Sequence, residues 1–241
     1  MTMKFLKNLI FIDIETVSEK PSFSELSERM QNLWVKKSIY LKNDEEMSAE
    51  ELYAERAGIY SEFGKVIVIS IGLFYTDKEG NLNLRIKALY NEDEKVLLEE
   101  FIQTINNKLD EQKIKLCAHN GKEFDFPYMA RRMVVNRIDI PGFLQLSGKK
   151  PWEVGHIDTM ELWKFGDRKS FTSLDLLTAI LDIPSPKDDM DGSMVSTVYY
   201  QEKDLEKIAK YCNKDVEATA QLFLRLKGIE ILPPERIHFV K

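Results

Sequence analysis

The sequence predicts an α/β domain built around a mixed sheet, and two observations lead to this prediction. Short apolar runs rich in β-branched residues, typical of buried strands, occur at residues 9–14, 65–75 and 114–118. Segments with apolar side chains at helical spacing lie between and after these runs. Strands followed by alternating helices and strands are typical of an α/β domain with a mixed sheet.

The first half of the chain contains three predicted strands. Residues 9–14 (LIFIDI) predict a short buried strand, and residues 65–75 (KVIVISIGLFY) predict a longer one. Residues 82–90 alternate apolar and polar side chains after the turn-forming Gly80-Asn81. This pattern predicts that residues 82–90 pair with the second strand in a hairpin.

The rest of the chain is predicted to be mainly helical. Residues 92–109 have helical periodicity, and residues 114–118 (IKLCA) then predict another buried strand. Further helices are predicted at residues 123–135, 171–181 and 203–227, and the last of these is the longest.

We expect residues 1–241 to form a single domain, because the sequence contains no internal repeat, low-complexity tract or Gly/Ser linker. Residues 20–62 separate the first two strands and contain the capping box Ser48-x-x-Glu51, which marks the start of a helix. They predict a helical insertion. Residues 137–155, rich in Pro, Gly and Lys, predict a long loop.

Composition limits the classes of partner. The net charge of −6, from 40 acidic and 34 basic residues, disfavours tight binding of duplex nucleic acid through phosphates. It allows an enzyme that takes a strand end into a cleft, where bound divalent cations supply positive charge. Two cysteines argue against a disulfide framework. No run approaches the ~20 apolar residues that span a bilayer, so we expect a cytoplasmic protein without a membrane partner.

Three short motifs, far apart in sequence, together predict one metal site. They are Asp13-x-Glu15, Asn120-x-x-x-Phe124-Asp125 and Tyr211-x-x-x-Asp215. Alternation along a strand points Asp13 and Glu15 to the same side. The spacing of four residues places Tyr211 and Asp215 on one face of the last predicted helix.

Each motif is weak evidence when taken alone. Asp44-x-Glu46 repeats the first pattern in a polar stretch, where we interpret both residues as solvated surface charge. Ordinary structural roles also fit single residues: a strand-end turn for Asp13, a helix-start charge for Asp125 and a half-buried core position for Tyr211. The occurrence of all three motifs, each in suitable predicted structure, favours a functional site.

The chemistry that needs such a set is phosphodiester hydrolysis. Two divalent ions about 3.5–4 Å apart activate water and stabilise the leaving oxygen. Mg²⁺ or Mn²⁺ is the expected ion, because Mg²⁺ prefers oxygen ligands and is satisfied by a few carboxylates. We expect Asp13 to bridge the two ions, with Glu15 and Asp215 completing the first site. Asp125 holds the second, and Tyr211 orients the attacking water by hydrogen bonding.

At these residues the chain resembles a known superfamily. FIDIET, HNGKEFDFP and YCNKDVEAT resemble the three motifs of DEDD 3′–5′ exonucleases, in the subgroup with tyrosine in the third motif. HIDTMELWKFGD and LTAILDIPSPK resemble the stretch between the second and third motifs. The chain is most similar to the proofreading exonuclease domain of family-B DNA polymerases and to stand-alone predicted exonucleases related to it.

The resemblance implies both a fold and an activity. The fold is a ribonuclease-H-like α/β fold, with a five-stranded mixed sheet flanked by helices. The activity is release of nucleoside monophosphates from the 3′ end of a single strand, DNA being favoured over RNA. The sequence contains no polymerase domain after the third motif, so we expect a protein partner such as a polymerase or a repair factor.

Four further residues are expected to bind the substrate. Thr16, Asn120 and Phe124 belong to the motifs or adjoin them. Trp152 lies in the predicted long loop among basic residues that include Arg132, and an aromatic among cations suits a single strand through stacking and phosphate contacts. A solvated loop with one anchoring tryptophan fits Trp152 equally well.

Three alternatives remain open at this point. An exoribonuclease would use the same carboxylates and recognise a 2′-OH. A non-catalytic module would bind strand ends without metal-dependent cleavage. An endonuclease using the same metals would cut internally.

Overall fold

A computed structural model describes residues 6, 8–41, 47–106, 114–167, 171–184 and 190–240. Within these ranges the strands are β1 (Leu9–Ser18), β2 (Gly64–Thr76), β3 (Leu82–Tyr90), β4 (Lys115–Ala118), β5 (Ile157–Asp158) and β6 (Ile237–Val240). The helices are α1 (Glu28–Ser38), α2 (Ala49–Arg56), α3 (Glu94–Asn106), α4 (Asp125–Val135), α5 (Thr159–Lys164), α6 (Leu174–Ile180) and α7 (Leu205–Leu226). A single helical turn at Val195–Thr197 and a π-helical segment at Val198–Glu202 precede α7.

The strands form one mixed sheet in the order β5-β4-β1-β2-β3-β6. Strands β1, β2 and β3 pair antiparallel in succession, whereas β4 pairs parallel with β1 and β5 pairs parallel with β4. Strands β4 and β5 therefore end side by side, next to the middle of β1, which continues to Ser18 against β2. The predicted α/β class with a mixed sheet is confirmed.

The strand count differs from the expected five, because six strands are present among the described residues. The outer strands β5 and β6 contain only two and four residues. Such short strands give no run long enough to show periodicity. Strand β6 extends the sheet beyond the predicted hairpin by pairing parallel with β3.

The alternation of β1 divides the core into two layers. Ile10, Ile12 and Ile14 pack in a cluster with residues of α3 and α4. Leu9 and Phe11 face the other side, where they pack against α7. Because side chains alternate along a strand, this pattern carries the next odd-numbered positions of β1 onto the α7 face.

The helical insertion predicted after the first strand is present. Helices α1 and α2 enclose their own apolar cluster, in which the rings of Trp34 and Tyr53 lie 5.4 Å apart, centroid to centroid. The predicted capping box starts α2, with both hydrogen bonds between Ser48 and Glu51 formed. Asp44 and Glu46, which repeat the pattern of the first motif, lie outside the described residues.

A buried ion pair ties α3 to α4. The Arg132 guanidinium donates two hydrogen bonds to one carboxylate oxygen of Glu94, at 3.1 and 2.6 Å, and one to the other at 2.8 Å. It also donates to the Ser61 carbonyl at 2.9 Å, which reaches the end of the insertion. Arg132 therefore belongs to the core, and the expectation that it lies among the exposed cations around the long loop is wrong.

Among the described residues, no helix combines the length and the apolar character needed to cross a membrane.

The buried pair generates a stability prediction. Arg132→Met should lower the free energy of unfolding by about 3–5 kcal/mol, because it leaves the buried Glu94 carboxylate without a cation and with only the Val66 N–H and the Asn136 side chain as donors. Urea unfolding followed by circular dichroism measures this change. The matched control is Arg131→Met at the exposed neighbouring position, expected to shift the same quantity by about 0.5 kcal/mol or less. Equal effects of the two substitutions would contradict a structural role for the pair.

Candidate active site

The first motif lies in the middle of β1, on the face that packs against α7, just past the point where β4 stops pairing with β1. Asp13 is half-buried and Glu15 is buried. The thiol of Cys212, on α7, donates a hydrogen bond to Asp13 Oδ2 at 3.2 Å. Ligand atoms of Asp13, Glu15 and Cys212 all lie within 4.8 Å of one another, close enough to share one ion.

The second motif joins the first through the backbone of β1. Asp125 is the first residue of α4 and is buried. Its Oδ1 accepts a hydrogen bond from the Ile14 N–H at 3.2 Å. Since Ile14 lies between Asp13 and Glu15, this bond fixes the second-motif carboxylate beside the first motif.

The third motif approaches from α7. Tyr211 and Asp215 are half-buried and one helical turn apart, and a hydrogen bond links their side chains. The charge of Asp215 acts on both Asp13 and Glu15. The structure thus brings all four predicted carboxylates and the predicted phenol into one site.

Burial and mutual repulsion dominate the electrostatics of this site. Burial, followed by the charge of Glu15, raises the pKa of Asp13 well above its usual range. Burial, followed by the charge of Asp215, does the same to the pKa of Glu15. Burial also raises the pKa of Asp125 to about 7. A divalent cation relieves this repulsion, and its preference for oxygen ligands fits a set made mainly of carboxylates.

Tyr211 and Cys212 both keep their protons in this environment. Burial, followed by the charge of Asp215, raises the pKa of Tyr211 above its ordinary value. Burial, followed by the charge of Asp13, raises the pKa of the Cys212 thiol well above its ordinary value. The phenol and the thiol therefore act as hydrogen-bond donors and not as bases.

Asp158 is a site residue that sequence reasoning did not single out. It caps α5, and its buried carboxylate accepts hydrogen bonds from the backbone N–H groups of Asn120 at 2.9 Å and Lys122 at 3.1 Å. Asn120 has a φ of 65°, so these bonds hold a left-handed turn just before α4. The signal available in the sequence was an aspartate followed three residues later by Glu161, which marks a helix start.

The predicted substrate-binding residues divide into two groups. Thr16 and Phe124 both contact Tyr128: the Thr16 hydroxyl is hydrogen-bonded to it, and the Phe124 ring centroid lies 5.2 Å from its ring. Asn120 lies in the turn that leads to Asp125. Asn120 and Phe124 thus belong to the second motif, and Thr16 is linked to Phe124 through Tyr128.

Trp152 lies elsewhere. It is 77% exposed, in a 3-10 turn within the connection that enters the amino end of β5. The Lys150 Nζ lies 5.3 Å from its ring centroid. In the part of the chain that the structure describes, no hydrogen bond or ring contact joins Trp152 to the carboxylates, so its predicted substrate contact stays a prediction.

Comparison with known proteins places the chain in a family. A family model described as a predicted 3′-5′ exonuclease related to the exonuclease domain of PolB matches residues 60–231. The chain belongs to this family. The matched range includes the second and third motifs, and Asp13-x-Glu15 precedes it.

The relatives of this predicted exonuclease include much longer proteins. A DNA polymerase of Pyrococcus glycovorans is 25% identical over 221 residues, which cover 82% of this chain and 26% of the polymerase. The solved family B DNA polymerase of Pyrobaculum calidifontis matches 90% of this chain and 24% of its own, with 12% identity and a TM-score of 0.52. The chain spans about a quarter of each. The structural match confirms the ribonuclease-H-like fold.

The raised pKa of Asp125 predicts how the stability of the metal-free protein depends on pH. In EDTA, Asp125→Asn should raise the melting temperature most at pH 8, less at pH 5, and little at about pH 3.5, below the pKa of the unfolded chain. At pH 5 the folded protein keeps the Asp125 proton that the unfolded chain has lost, so the free energy of unfolding falls as pH rises from about 4 to about 7. Asparagine removes the buried charge present above that range.

Thermal unfolding with Mn²⁺ provides the control for this prediction. With Mn²⁺ at pH 8 the sign should reverse, because the variant loses a ligand and therefore part of the stabilisation that binding gives. A variant that is less stable than the wild type in EDTA at pH 8 would contradict the repulsion described above.

Proposed function

We propose that this protein is a metal-dependent 3′–5′ exonuclease that releases nucleoside monophosphates from the 3′ end of single-stranded DNA. One observation carries the proposal. Asp13, Glu15, Asp125 and Asp215 converge with Tyr211 where β4 ends beside β1, in a chain that belongs to a family of predicted exonucleases.

The four carboxylates would hold Mg²⁺ or Mn²⁺. Two such ions, when bound, supply hydroxide at neutral pH and neutralise the charge that develops on the leaving oxygen. The protein orients its ligands beforehand: the Cys212 thiol holds Asp13, and the Ile14 N–H holds Asp125. Ligands fixed by such hydrogen bonds bind a metal in a defined arrangement.

Tyr211 positions the attacking water. Its hydroxyl hydrogen bonds to Asp215, and a hydroxyl oxygen that donates one hydrogen bond still has lone pairs with which to accept another. Water bound to that oxygen is directed towards the carboxylates. Because Tyr211 keeps its proton, it orients this water without deprotonating it.

The substrate end is proposed to lie beside the second motif, against Thr16, Asn120 and Phe124. The net charge of −6 fits a short strand end taken into a metal-bearing cleft better than a long duplex held by phosphates. The two relatives named above are DNA polymerases, which favours DNA over RNA. It also makes a polymerase or a repair factor the protein partner that we propose.

Cleavage of matched 5′-labelled DNA and RNA single strands in Mg²⁺, Mn²⁺ or EDTA tests this function. We expect a metal-dependent ladder that shortens DNA from its 3′ end. Asp13→Asn should lower the rate by about a thousandfold or more, which corresponds to ~4 kcal/mol of lost transition-state stabilisation. Asp139→Asn, at an exposed position, is the matched control and should cleave like the wild type.

Each other outcome points to a different function. A ladder on RNA alone would indicate an exoribonuclease, and internal cuts would indicate an endonuclease. Strand binding without cleavage under either metal would indicate a non-catalytic module.

Tyr211→Phe should reduce the cleavage rate less than Asp13→Asn does, because all four carboxylates survive. A loss of rate as large as that of Asp13→Asn would contradict the role given to the phenol.

A further inference from the structure

Two phenylalanine rings lie exposed between the second and third motifs. Phe165 is 85% exposed and Phe171 is 67% exposed. The Lys164 Nζ lies 4.3 Å from the ring centroid of Phe171, in cation–π contact. We call the surface formed by Lys164, Phe165 and Phe171 the aromatic platform.

The backbone at the end of α5 presents the Phe165 ring to solvent. Phe165 has φ 43° and ψ 33°, and Gly166 follows with φ 94°. A left-handed backbone conformation is uncommon and energetically unfavourable for a bulky residue. Because the Phe165 ring is exposed, burial of the ring offsets little of this conformational cost. An exposed ring in such a backbone conformation is a candidate for contact with a ligand.

Hydrogen bonds connect the aromatic platform to the second motif. His119 Nε2 lies 2.9 Å from the carbonyl oxygen of Thr172, the residue after Phe171. His119 Nδ1 lies 2.9 Å from Thr159 Oγ1, at the start of α5. Thr159 and Thr172 flank the platform residues in sequence. Because His119 directly precedes Asn120, both of these threonines attach beside the turn that leads to Asp125.

The aromatic platform also lies on the catalytic side of the sheet. Trp163 of α5 and Leu177 of α6 pack in one cluster with Leu222 of α7. Helix α7 covers the same face of the sheet to which Asp13 and Glu15 point. The platform therefore adjoins helices that pack on the α7 face, and the bond between His119 and the Thr172 carbonyl places its Phe171 end near the carboxyl end of β4.

We propose that the aromatic platform binds the nucleotides of a single strand that lie 5′ to the terminal one. Exposed aromatic rings stack on bases without regard to sequence, and a neighbouring lysine contacts the backbone phosphates. The acidic Glu161 close to the platform is paired with the Lys122 Nζ at 2.7 Å, so its charge is compensated. This inference rests on the proposed function, because it concerns the substrate of the same site.

A surface of two exposed rings and a lysine, tied through His119 to the residue before Asn120, favours a nucleic-acid strand over a protein partner. A strand that leaves the site must cross neighbouring surface on the same face. A protein partner would instead leave strand binding independent of these rings.

Fluorescence anisotropy with a labelled single-stranded DNA of about 12 nucleotides tests the proposal in EDTA, where binding is measured without cleavage. Phe165→Ala and Phe171→Ala should each raise Kd about tenfold, and Phe171→Tyr should bind like the wild type. Phe239→Ala is the matched control, because Phe239 is 52% exposed on β6, at the opposite end of the sheet. Its Kd should not change.

A second substrate separates this proposal from the proposed function. Hydrolysis of the p-nitrophenyl ester of thymidine 5′-monophosphate involves no 5′ nucleotides, so both alanine variants should hydrolyse it at the wild-type rate. Absence of this hydrolysis in the wild type would count against the exonuclease, and the binding measurement would still decide on the platform. A Kd for the 12-nucleotide strand that is unchanged in the Phe165→Ala/Phe171→Ala variant would overturn the platform proposal and favour a protein partner.

Discussion

The burial of like charges at one sheet edge is the constraint on which the rest of the structure depends. Burial and the charges of the neighbouring site carboxylates raise the pKa values of Asp13 and Glu15, and burial followed by the charge of Asp158 raises that of Asp125. Repulsion of this kind destabilises a fold unless other contacts offset it. Here the offset comes from donors aimed at the carboxylates: the Ile14 N–H for Asp125 and the Cys212 thiol for Asp13.

The surrounding fold keeps this edge in place. Parallel pairing of β1 with β4 and of β4 with β5 places the carboxyl ends of β4 and β5 beside the middle of β1. Asp158, at the end of β5, bonds back to the turn after β4, and so couples the strand ends to the start of α4. On the other side of the sheet, the buried pair of Arg132 and Glu94 anchors the same helix. Helix α4 is thus fixed at both ends, which fixes Asp125.

The sequence predicts those parts of the site that depend on local periodicity. Alternation along β1 places Asp13 and Glu15 on one face of the strand. The helical spacing of four residues places Tyr211 and Asp215 on one face of α7. Their convergence was expected from the resemblance to a superfamily that carries all three motifs, and the parallel pairing of β1 with β4 accounts for it in the structure. The long elements were found for the same reason, since ten or more residues show a period clearly.

Features that depend on contacts distant in sequence were missed. The bond from Cys212 to Asp13 spans 199 positions, and that from Asn120 to Asp158 spans 38. No local pattern distinguishes the buried Arg132 from the exposed Arg131 beside it, because the partner of Arg132 lies 38 positions away. Trp152 shows the same limit. An aromatic residue among basic residues suits strand binding, but this local composition does not reveal how far Trp152 lies from the carboxylates.

The central claim is that these carboxylates together hold two divalent ions, and electron paramagnetic resonance with Mn²⁺ tests it most directly. Two ions about 3.5–4 Å apart, the usual spacing in two-metal sites, should be magnetically coupled. We predict two bound Mn²⁺ per chain with a coupled signal in the wild type, and loss of that signal in Asp13→Asn. A single uncoupled Mn²⁺ per chain, or a coupled pair that survives Asp13→Asn, would contradict the account.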